Sequence, residues 1–388
     1  MSTTVRTRRR HRPAVPGPVR GADGAAYRWV VRLAVLFTGV SVLAVGVGLG
    51  PRHLVKEGLS LPAVAGFVLV AAGLVASAWM TIRILADIRR RWWPLVIALL
   101  VVATYLALWT LGQAVAASYA PRPELGGRTP ADLGLAYRDV TFASSDGEEL
   151  AGWYIPTRNG AAVVLLHGAG STRSGVLEQA ALLAGHGYGV LLFDGRGHGE
   201  SAGRAMDFGW DGESDASGAV DFLTQQRGVS PEGIGLLGLS MGGEQAIGAA
   251  GVDERVAAVV AEGATNRVAA DKEYLDAYGV RGELQQRVDA VTYWFTGLLT
   301  AAPEPSSLRQ SVSRATARPD PTRFLLITAG EVPDEGHAAD YIQGSSNDTV
   351  QTWTVPGAGH TRGLETAPTE WEQRVVAFLA GSLEGEAR

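Results

Sequence analysis

Hydrophobic residues are distributed in two ways along this chain of 388 residues, and the pattern changes near residue 120. In the first third, three long apolar runs, near Leu33 to Leu49, Leu59 to Ile82 and Pro94 to Ala117, carry no charge in their interiors. Each approaches or exceeds the roughly 20 residues needed to cross about 30 Å of hydrocarbon. Buried helices of a soluble protein rarely stay apolar on all sides over such a length, and a cleaved signal peptide does not account for three runs. They predict three transmembrane helices within residues 29–120. Pro62 and Pro94 sit in first turns, where no backbone donor is lost, and Trp92 and Trp93 suit the headgroup layer. The segment 121–132, rich in Pro and Gly up to Pro130, reads as a linker.

Beyond the linker the apolar runs shorten. Tyr137 to Phe142 and Leu150 to Ile155 alternate around Ser145-Asp146-Gly147, which predicts a hairpin at an antiparallel edge. Continuous apolar strands follow at Ala162 to Leu166, Gly189 to Phe193, Ile234 to Leu239, Val256 to Val260, Phe324 to Thr328 and Val350 to Val355. Helix-compatible stretches separate them, among them Gly175 to Ala184, Glu213 to Gln226, Gly243 to Ala250 and Glu370 to Leu383. Such alternation predicts an α/β fold with a mostly parallel sheet covered on both faces, over residues 133–388.

Charge adds direction. Residues 1–28 hold Arg6, Arg8, Arg9, Arg10, Arg12, Arg20 and Arg28 against Asp23, with Pro13, Pro16 and Pro18 between them, and read as a basic disordered arm. A nucleic-acid arm is the competing reading, but the net charge of −5 argues against a polyanion binder, and no nucleic-acid partner is expected. Arg83, Arg89, Arg90 and Arg91 follow the second run, whereas Pro51 to Gly58 holds Arg52 and Lys56 beside Glu57. The positive-inside bias then puts the N-terminus in the cytoplasm and everything after about Ala120 outside it, in a multi-pass cell-membrane protein. There is no Cys, so disulfides and thiolate metal sites are excluded.

The chemistry concentrates at Gly238-Leu239-Ser240-Met241-Gly242. A strand that delivers Ser to a sharp turn and leaves through a helix needs small residues two before and two after it. The turn exposes the Ser240 hydroxyl and aims the Met241 N–H at an incoming carbonyl oxygen. A second match, Gly199-Glu200-Ser201-Ala202-Gly203, follows no apolar strand and reads as a loop. His167-Gly168 ends one strand, Asp194-Gly-Arg-Gly-His-Gly follows another, and Gly357-Ala358-Gly359-His360 follows a late one. With these features in this order, the chain from about Leu133 onward resembles the α/β-hydrolase superfamily, nearest to its serine hydrolases with an apolar N-terminal anchor. The resemblance covers some two-thirds of the chain.

That resemblance implies a Ser240 nucleophile and a His360 base on the loop after the last strand, with His337 as the weaker rival. It implies an acid after Phe324 to Thr328, where Glu331, Asp334 and Glu335 stand at an uncommon spacing; Asp334 is the first choice, then Glu335 and Glu331. The oxyanion hole would use the backbone N–H groups of Met241 and Ala169, with His167 bracing its loop. Asp194 reads as a turn former and Glu244 as an early-helix dipole partner. Residues 264–321 form an insertion where the family carries a cap, and Tyr274, Tyr278, Tyr293, Trp294, Phe295, Leu298 and Leu299 could line a pocket or be cap core. An apolar cap beside a bilayer would suit an acyl chain. No phosphate loop or metal spacing is present, and no cofactor is expected. The expectation is a membrane-anchored serine hydrolase cleaving carboxylic esters, with lipid or acyl esters as candidates. A serine peptidase or amidase of the same fold and a catalytically silent binding protein are the alternatives.

Overall fold

The computed structural model describes residues 22–383 except 347. Residues 1–21 of the basic arm lie outside the described residues; its last part, from Ala22, is already helix. α1 (Ala22–Glu57) and α2 (Leu61–Asp87) form an antiparallel pair. Small residues let their backbones meet: a Cβ on Gly66 would lie 2.3 Å from Gly50 Cα, and one on Gly73 2.5 Å from Leu43 N. α3 (Trp93–Ala107) continues through a π-helical turn (Leu108–Gly112) into α4 (Gln113–Ser118). α3 buries none of its residues; Leu99 and Val101 are 60% and 62% exposed. Three segments, Ala26–Glu57, Leu61–Asp87 and Arg90–Ser118, are long and apolar enough to cross a membrane.

These helices bracket the expected thickness. From Arg32 to Arg52 is about 30 Å at 1.5 Å per residue, the depth of a hydrocarbon core. Arg32 meets Asp87 at one end, on the side of Arg89, Arg90 and Arg91. At the other end Arg52 pairs with Asp207 (2.5 Å) and donates to Ala116 O (2.7 Å), while Glu57 accepts from the Arg122 N–H (3.3 Å). The C-terminal domain is therefore fastened to the end of the helices opposite the arginine cluster.

That domain is built on one sheet of eight strands: β1 (Arg138–Ala143), β2 (Glu149–Ile155), β3 (Ala162–Leu166), β4 (Gly189–Phe193), β5 (Ile234–Leu239), β6 (Ala258–Glu262), β7 (Arg323–Ala329) and β8 (Val350–Val355). Their order is β1-β2-β4-β3-β5-β6-β7-β8. The β1–β2 and β2–β4 pairs are antiparallel and the rest parallel. Since β3 to β7 are buried on both faces almost throughout, their sequences are apolar without alternation. On one face α6 (Gly212–Thr224), α7 (Met241–Val252), α9 (Leu308–Thr316) and α10 (Pro333–Gln343) cover a core including Leu236, Ile247, Val312 and Phe324. On the other, α5 (Leu177–Gly185), the short α11 (Gly363–Thr366) and α12 (Pro368–Leu383) cover Leu165, Leu237, Val260 and Ile327, with Trp371 buried among them.

The insertion after β6 splits its duties. Within it, α9 seats Leu308, Val312 and Ala315 in the sheet core, so only the 3-10 segment Ala269–Tyr278 and α8 (Val280–Thr300) stand above the sheet. α8 leans on the third apolar helix, where Trp109 Nε1 donates to Asp289 Oδ1 at 3.2 Å.

Candidate active site

The nucleophile candidate sits where β5 stops. Ser240 adopts φ 54° and ψ −121° between Leu239 and the first residue of α7, a conformation that costs a non-glycine residue on the order of 1–3 kcal/mol. Packing enforces it. A Cβ on Gly238 would stand 2.1 Å from Gly242 O, and one on Gly242 would stand 2.3 Å from Leu166 O. Parallel register puts Leu166 opposite Gly238, so the end of β3 delivers Gly168 and Ala169 to the same edge; both line a cleft of about 1190 Å³ with Ser240 and His360. Met241 opens α7, and the first N–H groups of a helix have no partner inside it.

His360 arrives from the loop after β8. Its Nε2 accepts from Ser240 Oγ at 2.9 Å, and its Nδ1 donates to Glu335 Oε1 at 2.6 Å. Glu335 is buried, and its other oxygen accepts from the Ala329 N–H at 2.8 Å. Its place in the first turn of α10 adds the favourable end of the helix dipole. The bond to this carboxylate raises the His360 pKa above the ordinary imidazole value, against the opposing effect of burial. The imidazole edge lies on Gly263 (φ 72°), where a Cβ would come within 2.9 Å of Cε1. A carboxylate holding one ring nitrogen fixes the tautomer and leaves the Nε2 lone pair facing the Ser240 hydroxyl.

The chain is similar to known proteins. A family model described as "Serine aminopeptidase, S33" matches residues 157–317. The thiohydrolase aneE of Aspergillus aculeatus is 42% identical over 129 residues, which is 32% of this chain and 40% of that protein. The uncharacterized protein YfhR of Salmonella typhi is 33% identical over 144 residues, 36% of this chain and 47% of its own. The match thus spans less than half the length of either curated relative. Among solved structures, the Pyrococcus furiosus esterase Pf2001 superposes with a TM-score of 0.52 at 25% identity, covering 68% of this chain and 99% of that one. The chain belongs to the α/β-hydrolase superfamily.

In this α/β-hydrolase, the expected Ser240 and His360 come together, and the expected Asp334 does not join them. Asp334 accepts from the Tyr278 hydroxyl at 2.5 Å on the outside of α10. The reason is that the predicted loop is helical from Pro333, and neighbouring residues on a helix point about 100° apart. Glu335 shares the inward face with Ala338, Ala339 and Ile342, whereas Glu331 is exposed before the helix. That i, i+3, i+4, i+7 pattern after a proline was the signal available in the sequence. His337 stacks edge-on against Tyr278 at 5.4 Å, away from Ser240.

The expected cap aromatics are not among the residues lining the cleft. Tyr293 packs instead with Met206 and Trp210 and accepts from Asn266 Nδ2 at 2.7 Å, while Trp294 is exposed. The cleft walls are Val176, Leu182, Leu239 and Leu364, with Glu178, Glu365 and Glu372 at the rim.

The surrounding polar residues are structural. His167 donates from Nδ1 to Gly168 O (2.9 Å) and accepts at Nε2 from the Gly195 N–H (3.0 Å), and burial lowers its pKa to about 3, so it stays neutral between the two loops. Asp194 pairs with buried Arg173 at 2.6 Å and accepts from the Arg173 and Glu200 N–H groups. Ser201 is buried and donates to Asp194 O, which makes the second Gly-x-Ser-x-Gly match a loop brace. Glu244 accepts from the Thr265 and Asn266 N–H groups (3.1 and 3.0 Å), so its partner is the entry to the insertion, and burial pushes its pKa up to about 7.

One carboxylate escaped the sequence reading. Glu262 ends β6 beside Leu239 and accepts from the Gly363 N–H (2.7 Å) and Trp371 Nε1 (2.9 Å), while its backbone O accepts from the Ser240 N–H (2.7 Å). It ties the end of β5 to the chain just after His360. A lone Glu at the end of an apolar strand carried that hint.

Proposed function

We propose that this protein is a membrane-anchored serine hydrolase that cleaves carboxylic esters, with lipid-derived or acyl esters as the substrate class, through an acyl-enzyme on Ser240. The carrying observation is the continuous Glu335–His360–Ser240 hydrogen-bond chain at a strained strand-to-helix turn. Ser240 Oγ attacks the ester carbonyl carbon while His360 Nε2 takes its proton. Glu335 compensates the imidazolium, and the Met241 and Ala169 N–H groups hold the developing oxyanion. His360 then protonates the leaving alcohol, which departs with the C–O bond. Water, deprotonated at Nε2, attacks the acyl carbon, and Ser240 regains the proton as the acid leaves.

The family description favours a second reading, an aminopeptidase. That chemistry needs a carboxylate to hold the substrate ammonium. The three acidic rim residues are each engaged already: Glu178 and Glu365 in ion pairs with Arg128 (2.9 Å) and Arg362 (3.3 Å), and Glu372 in a hydrogen bond with His186 (2.7 Å). An uncharged ester therefore fits the cleft better. The reading also takes the three apolar helices as spans, with the arginine cluster cytoplasmic and the hydrolase domain outside. The test is turnover of short p-nitrophenyl esters against aminoacyl p-nitroanilides by the full chain. Ester hydrolysis abolished by Ser240→Ala supports the proposal; anilide cleavage alone would replace it with the peptidase, and no turnover of either would favour a silent binding protein.

A further inference from the structure

α8 carries an apolar stripe that no other described residue covers. Leu284, Val291, Trp294 and Leu298 are 64%, 42%, 60% and 63% exposed, and their spacing of seven, three and four keeps them on one helix face. The opposite face is occupied: Tyr293 packs with Met206 and Trp210, and Thr292 and Thr296 are buried. Only Arg287 interrupts the stripe, with Glu283 at 4.0 Å. Its long stem lets the charge reach water from an apolar surface.

The position of α8 says what the stripe meets. Asp289 and Thr292 contact Trp109, and the Tyr119 hydroxyl donates to Leu299 O at 3.5 Å, so residues 289–299 run alongside 109–119 in the same direction. Trp109 lies nineteen residues beyond Arg90, about 28 Å at 1.5 Å per residue, and the hydrocarbon core is about 30 Å thick. Ala116, which accepts from Arg52 at the far end of α1, lies seven residues further on, so Val291, Trp294 and Leu298, level with about residues 111 to 118, run from the outer edge of the hydrocarbon into the headgroup layer, where Trp is enriched.

We propose that this stripe of α8 is immersed in the outer-leaflet lipid beside the third apolar helix, making α8 a second, interfacial membrane anchor of the hydrolase domain. The inference rests on reading the three apolar helices as spans. A second copy of the chain is the poorer occupant, because four side chains cannot supply the roughly 800 Å² per partner that a stable dimer needs. Two consequences follow. Lipid on one face and the catalytic domain on the other restrict α8, and the 3-10 segment joined to it carries Tyr278 onto α10, where it meets Asp334 beside Glu335.

The chain has no Cys, so single-Cys variants need no background removal. Val291→Cys, Trp294→Cys and Leu298→Cys of the full chain, each carrying a nitroxide, are reconstituted in phosphatidylcholine vesicles. Relaxation by dissolved oxygen and by a water-soluble nickel complex is then compared with Leu99→Cys as the lipid reference and Glu232→Cys as the water reference. The expected result is strong oxygen relaxation with loss of the nickel effect at Val291→Cys and Trp294→Cys, as at Leu99→Cys, and at Leu298→Cys a nickel effect well below that at Glu232→Cys. Nickel relaxation at Val291→Cys and Trp294→Cys, with Leu99→Cys still shielded, would overturn this inference and leave the spans standing. Nickel relaxation at Leu99→Cys as well would overturn the spans and the inference together. Shielding from both reagents at the α8 positions would mean a protein partner and would also overturn it.

Discussion

The assignment of the acid yields the most discriminating perturbation, Glu335→Gln set against Asp334→Asn. Glu335 Oε1 lies 2.6 Å from His360 Nδ1. With charge centres about 4 Å apart, an imidazolium and a carboxylate attract by about 4 kcal/mol at an effective dielectric of 20. Half of the His360 ring is exposed, and solvent screening lowers this to roughly 2–3 kcal/mol. At 1.36 kcal/mol per decade that is a loss of roughly 30- to 150-fold in kcat, extended towards about 10⁴ if the introduced amide also selects the wrong tautomer. Asp334 accepts from the Tyr278 hydroxyl on the outer face of α10, away from His360, so Asp334→Asn should stay within about twofold. The assay is kcat/KM for a p-nitrophenyl ester across the neutral pH range. Only the neutral imidazole is a base, so the rate should rise with pH through a midpoint above the about 6.5 of a free imidazole, because Glu335 raises that pKa. In Glu335→Gln the midpoint should fall. Full activity in Glu335→Gln together with collapse in Asp334→Asn would refute the assignment.

Three further outcomes follow from the same geometry. Gly263→Ala should cost roughly 1–2 kcal/mol of backbone strain and displace His360, lowering kcat far more than the melting temperature; unchanged turnover would show that the ring does not need that space. Glu262→Gln should leave either the Gly363 N–H or Trp371 Nε1 without its acceptor, about 1–3 kcal/mol of stability, and lower kcat with KM little changed; a purely structural role would move the melting curve alone. Glu244 is pushed up to about 7 by burial, so the folded state keeps its proton where the unfolded chain has lost it. The detergent-solubilised protein should then lose stability as pH rises from about 4.5 to about 7, and Glu244→Gln should flatten that slope; an unaltered slope would assign it to other groups.

Much of this architecture is written in local pattern. The strands inside the sheet are buried on both faces and the edge strands at least partly on one, and the apolar run or alternation announces each directly, which is why β3, β4, β5 and β8 fall where periodicity places them. Gly238 and Gly242 are equally legible, since the close approaches at Leu166 and Gly242 leave no alternative residue. What resisted reading depends on how elements meet. Asp334 and Glu335 are adjacent carboxylates of similar chemistry, and only the start of α10 at Pro333 turns one towards His360 and the other towards Tyr278. The aromatics of α8 are a cap pattern in sequence, but the bond from Trp109 to Asp289 draws that helix towards the apolar segments and away from the cleft. Glu262 looked like an ordinary strand terminus because its partners, Gly363 and Trp371, lie about a hundred residues further along.

The measurement closest to the central claim is labelling of the full-length protein with a fluorophosphonate, followed by peptide mapping. Such a probe phosphonylates a serine only when a base has made its hydroxyl nucleophilic. The account predicts a single adduct on Ser240, lost in Ser240→Ala and His360→Ala, strongly slowed in Glu335→Gln and retained in Asp334→Asn. An intact, folded protein that leaves Ser240 unmodified, or an adduct that forms equally well without His360, would contradict it.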